Sequence, residues 1–80
     1  MGSNATLEWV VHHWLAKAVG HRDFEAATRL RMLGLERQAI EDLLFRLEDE
    51  VDVTIWPGRE DRFIGSDPTV GDLVRFLQGL

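Results

Sequence analysis

The chain contains no cysteine. That excludes disulfides, thiolate nucleophiles and cysteine-ligated zinc, and it suits a reducing compartment, so a cytoplasmic location is expected. No apolar run approaches the roughly 20 residues that a membrane-spanning helix needs. The N-terminus lacks a basic flank followed by an apolar stretch, so no secretory leader is expected. Met1–Ala5 is small and polar and reads as a flexible end or a remnant of cloning. Internal repeats and low-complexity tracts are absent. No nucleophile, base and oxyanion-stabilising group stand in a recognisable arrangement, so an enzyme is not expected.

The 80 residues present fit one small domain, and 45% hydrophobic content is that of a globular chain. Charge is unevenly spread. The formal net charge of −5 is carried by residues 35–55, which hold seven acidic and two basic groups; residues 1–34 sum to +1 and residues 56–80 to −1. Nucleic-acid binding requires clustered Lys and Arg, so this distribution argues against it and favours a basic protein surface as partner.

Three helices are signalled by apolar periodicity. Leu7, Val10, Val11, Trp14, Leu15, Ala18 and Val19 share one helical face. Asn4 or Thr6 is placed to cap that helix, Glu8 suits its first turn, and Gly20 can end it in a left-handed conformation. From His21 to Gly34 the period dissolves, and Phe24, Leu30 and Leu33 are expected to pin a long loop to the core. The second helix is predicted from about Arg37 to Val51, buried through Ile40, Leu43, Leu44, Leu47 and Val51. Val53-Thr54-Ile55 reads as extended, Trp56-Pro57-Gly58 as a turn, and Arg59–Arg62 as a short helical turn returning to the core at Phe63 and Ile64. After Asp67-Pro68, Thr69 is expected to cap a last helix with Asp72 complementing its first amides, and Val70, Leu73, Val74 and Leu77 form its buried face.

Adjacent His12 and His13 point to different helix faces, and His21 is a loop residue, so a metal site is not expected. Trp14 reads as core. Trp9 and Trp56 read as core-edge plugs, or as interface anchors where exposed.

Specific residues carry the reading beyond periodicity. Thr28-Arg29-Leu30 and Leu33-Gly34-Leu35, followed by Glu36, resemble the loop before the second helix of acyl and peptidyl carrier proteins. Leu43 through Leu47-Glu48-Asp49-Glu50-Val51 is similar to that family's second helix, and Thr69-Val70-Gly71-Asp72-Leu73-Val74 to the start of its last one. The resemblance spans nearly the whole chain. It implies an all-α bundle of three to four helices, carrier-protein-like, with a long loop between helices 1 and 2.

Members of that family carry acyl or aminoacyl groups on a phosphopantetheine arm attached to a serine hydroxyl. Counting back from Leu47 without a gap puts Arg37 at the serine position, and a guanidinium cannot form the phosphodiester. Gln38 stands where a leucine is usual, Glu41 where an aliphatic residue is common, and residues 56–68 are rebuilt. Ser3 and Ser66 have no Asp or Leu-Gly context beside them. The resemblance therefore implies a non-catalytic binding module with no 4'-phosphopantetheine. It would dock through its acidic second helix on an acyl-transfer, condensing or ligating enzyme of fatty-acid, polyketide or peptide metabolism. The expected contact residues are Glu36, Arg37, Gln38, Asp42, Glu48 and Asp49. Arg37 itself has three readings: a solvated residue paired with Glu41, a charge-based partner contact, or a ligand for a free phosphate group. The alternatives for the whole chain are a carrier with atypical or noncovalent cargo attachment, and a small helical interaction domain unrelated to carriers.

Overall fold

A computed structural model describes residues 3–80, with side chains from Thr6 onward. Met1, Gly2 and the side chains of Ser3, Asn4 and Ala5 lie outside the described residues; the backbone of residues 3–5, expected to be a flexible end with Asn4 as a cap, is helical instead. The protein is an all-helical bundle of four α-helices, α1 (Ser3–Val19), α2 (Arg37–Val51), α3 (Pro57–Gly65) and α4 (Val70–Gln78), with a 3-10 turn at Leu30–Leu33. The described residues contain no strand, and none of their helices is long and apolar enough to cross a membrane.

Helix α1 begins earlier than its apolar period suggests, because nothing between Ser3 and Thr6 interrupts helical backbone. Thr6 is therefore inside the helix and not its cap, and Glu8 lies beyond the first turn. Val11 and Leu15 are fully buried, Leu7, Val10 and Val19 are half-buried, and Ala18 is exposed. Gly20, at φ 87°, ends the helix and donates its N–H to Ala16 O at 2.8 Å. Helices α1 and α2 run antiparallel: Leu7 and Val10 share a crevice with Val51, while Trp14 and Ala18 share another with Ala39 and Leu43.

The predicted bounds and buried stripe of α2 are observed, with Ile40, Leu43, Leu44 and Leu47 buried and Val51 half-buried. This amphipathic face supplies much of the core, and burying each such leucine or isoleucine side chain stabilises the fold by about 1.5–3 kcal/mol. Asp52 closes the helix in a left-handed conformation at φ 57° and donates its N–H to Glu48 O.

Helix α3 replaces the expected turn. Trp56 is its N-cap and Pro57 occupies its first turn, where proline's missing N–H costs nothing. The helical segment extends to Gly65, well past the predicted Arg59–Arg62, and buries Phe63 and Ile64 as anticipated. A proline adjacent to a glycine signals a turn and a helix start equally well; burial of Phe63 and Ile64 decides for the helix.

Helix α4 starts at a complete capping box. Asp72 N–H donates to Thr69 Oγ1 and Thr69 N–H to Asp72 Oδ2, both at 3.0 Å. The bond from the Thr69 amide, then the Arg75 guanidinium, hold the Asp72 carboxyl below its ordinary pKa. A depressed native pKa adds stability above the unfolded-state value, and that stability is lost as pH falls through the native one. Thr69→Ala should cost about 1 kcal/mol in urea denaturation at neutral pH. Asp72→Asn should destabilise at neutral pH and be close to neutral in acid, where the carboxyl is protonated in both states.

Candidate functional site

The outward face of α2 follows directly from its inward one. With Ile40, Leu43, Leu44 and Leu47 buried, residues 38, 42, 45 and 49 fall on the opposite side in one stripe. Gln38, Asp42 and Asp49 are exposed there, and the Gln38 amide donates to Asp42 Oδ1 at 3.0 Å. Phe45 lies between the two aspartates and is 76% exposed. Together with Arg46 and Glu48 these residues line a shallow open depression. An apolar ring flanked by carboxylates has the anatomy of a docking patch, an aromatic centre with a polar rim.

Arg37 opens α2, with Glu36 as N-cap making no side-chain capping bond. The Arg37 guanidinium is held by two carboxylates. Its Nε donates to Glu41 Oε2 at 3.1 Å, one turn along the helix, and its Nη2 donates to Asp61 Oδ1 of α3. Arg37 thus clips α2 to α3. The pairing with Glu41 agrees with the first of its three readings, and Asp61 adds an interhelix contact that sequence spacing could not reveal. Glu60, beside Asp61, has its carboxyl pushed above the ordinary value, first by burial and then by the carboxylates of Glu41, Glu48 and Asp61, with Arg37 opposing them.

The six residues expected to meet a partner do not form one surface of equal access. Glu36, Arg37, Gln38, Asp42 and Asp49 are exposed, whereas Glu48 is half-buried. Glu48 Oε2 accepts the Ile55 N–H at 2.6 Å, so this carboxylate fastens the segment after α2. Sequence reasoning missed Phe45, Asp61 and Met32, the last 80% exposed on the 3-10 turn before α2. Phe45 was open to detection as the aromatic residue lying off the buried stripe.

The remaining expectations sort by burial. Trp14 is half-buried and not plain core: the Arg46 guanidinium carbon sits 4.8 Å from its ring centroid and Lys17 Nζ 5.8 Å away. Its indole spans the edge of the α1–α2 contact, where cations cover it. Trp9 and Trp56 are exposed by 64% and 68%, and Trp9 stacks on His13 with centroids 5.0 Å apart. His12 and His21 both lie against Phe24. No three His, Asp or Glu side chains among the described residues are grouped to hold a metal ion. The Ser66 hydroxyl donates to Phe63 O at 2.6 Å at the end of α3.

Comparison with protein-family models, curated proteins and solved structures found no match.

Arg37→Met should lower stability by at most about 1 kcal/mol, since both its ion pairs are solvent-exposed. Its loss removes the cation that opposes the rise of the Glu60 carboxyl. A carboxyl raised in the native state imposes a penalty that appears as pH climbs above the unfolded-state value and through the native one. The Arg37→Met deficit should therefore shrink in acid, and adding Glu60→Gln should recover part of it at neutral pH. Urea denaturation at the two pH values checks both.

Proposed function

We propose that the chain is a carrier-protein-like binding module that has lost the pantetheine arm and acts through the outer face of α2. The observation that carries this reading is the use made of Arg37. Where the resemblance locates an attachment serine, the side chain is a cation engaged by Glu41 and Asp61. An attachment serine must instead offer a free hydroxyl to a transferase. The substitution is accommodated by its surroundings, with a carboxylate on each of two helices to receive it, which fits a scaffold adapted to the change.

The second support is the pattern of exposure on α2. Gln38, Asp42, Phe45 and Asp49 make a continuous stripe that the fold itself does not bury. Its carboxylates suit a basic protein surface and would steer association more than they tighten it, while Phe45 supplies the apolar anchor. An enzyme of acyl-transfer, condensing or ligating chemistry is the partner class that the carrier resemblance implies. Glu36, Arg37 and Gln38 lie at the helix end of this surface, and Glu48 contributes charge from behind it.

Intact-mass measurement after incubation with coenzyme A and a broad-specificity phosphopantetheinyl transferase tests the reading. The wild-type chain should gain no mass, and the Arg37→Ser, Gln38→Leu double variant should gain one pantetheine unit. Modification of the wild type would overturn the loss of carriage. A double variant that folds by circular dichroism yet stays unmodified would count against the carrier-like scaffold.

A further inference from the structure

A second surface is lined by cations. Arg59 and Arg62, three residues apart on α3, line an open groove with Phe63 and Phe76. The two phenylalanine rings stack with centroids 4.4 Å apart at 18°. The Arg59 guanidinium carbon lies 5.9 Å from the Phe76 ring centroid. Helix α3 is divided lengthwise: Asp61 pairs with Arg37 and Glu60 feels Glu41 and Glu48, so its acids serve α2 while its arginines serve the groove.

The arginines are also unmatched. Arg29, Arg37 and Arg75 each meet a carboxylate, but among the described residues no salt bridge reaches Arg59 or Arg62. In a chain of net charge −5, two cations over an aromatic floor are complementary to a surface that is anionic at its edges and apolar at its centre.

The outer stripe of α2 has that composition. Phe45 is its apolar centre, with Asp42 one turn before and Asp49 one turn after. The aspartates are about 10 Å apart along the helix axis, at 1.5 Å per residue. Arg59 and Arg62, at adjacent-turn spacing of about 5–6 Å between Cβ atoms, carry long side chains able to reach outward to such a pair. We infer that the chain self-associates head to tail, the α2 stripe of one copy seated on the α3–α4 groove of the next, with Phe45 against Phe76 and the aspartates against Arg59 and Arg62. The two surfaces differ, so every docked pair leaves one of each free, and assembly grows as an open string or closes into a ring. The net charge of each copy opposes this at low ionic strength. At about 0.15 M salt the Debye length is near 8 Å, which screens the copies' mutual repulsion more than the contact pairs.

Sedimentation velocity on the full chain, from micromolar to millimolar concentration at that salt, tests the inference through charge exchange. The wild type should grow in average mass with concentration. Asp42→Lys with Asp49→Lys makes both surfaces basic, and Arg59→Glu with Arg62→Glu makes both acidic, so each double variant alone should remain a monomer. An equimolar mixture of the two should recover association. A wild type that stays monomeric at millimolar concentration overturns the inference, leaving the groove to an acidic partner of another sequence. Growth that survives both double variants, or a mixture of folded variants that does not associate, overturns it equally. None of these outcomes bears on pantetheine attachment, which the mass measurement reads separately.

Discussion

The first turn of α4 organises the rest of the molecule because each of its exposed amides is given a partner. Thr69 N–H goes to Asp72 Oδ2 and Asp72 N–H to Thr69 Oγ1, so the helix satisfies those two itself. Val70 N–H goes to Thr28 O at 2.9 Å and Gly71 N–H to Ala26 O at 2.8 Å, so the other two are satisfied by the long loop after α1. Helix starts leave such donors without internal acceptors, and here a distant segment meets the need. The approach is close: a Cβ at residue 71 would stand 3.2 Å from Ala26 O, which is why glycine serves there. Leu30 N–H then donates to Pro68 O at 3.0 Å, and Arg29 Nη1 to Asp67 O at 2.7 Å. With its backbone stitched to the start of α4, the loop can lay Leu30 and Leu35 into the core and deliver α2 at a set position.

Charge is organised around that frame. Acidic residues crowd α2, and the fold disperses them in three ways. Glu41 is neutralised by Arg37, Glu48 is used to hold the Ile55 amide, and Asp42 and Asp49 are left at the surface beside Phe45. Helix α3 takes part in the first of these through Asp61, while its Arg59 and Arg62 line the groove with Phe63 and Phe76. Two faces of opposite character result, each with an aromatic side chain at its centre. Beneath them lie the buried leucines of the core.

Much of this was legible in the residues. The bounds and buried stripe of α2 and the capping box of α4 depend on neighbours a few positions apart, which sequence spacing reports directly. The Arg37–Glu41 pair is of the same kind. Asp61 was invisible because its partner lies in another helix, and the length of α3 was misread because its start uses residues that also make turns. Glu48 looked like surface charge, yet the chain folds back so that its carboxylate meets a backbone amide seven residues on. Trp14, whose position in the period suggests full burial, instead lies at the edge of the α1–α2 contact, under Arg46.

By itself the sequence determined the helical class, the faces that α2 and α4 bury, the long intervening loop and the absence of a hydroxyl at Arg37. These are consequences of side-chain period, capping chemistry and residue identity, which act over one or two turns of chain. Only the tertiary structure decided what the charged residues do. Whether a carboxylate clips helices, holds a backbone amide or faces solvent depends on which distant group comes within hydrogen-bonding reach, and the packing of the four helices determines that.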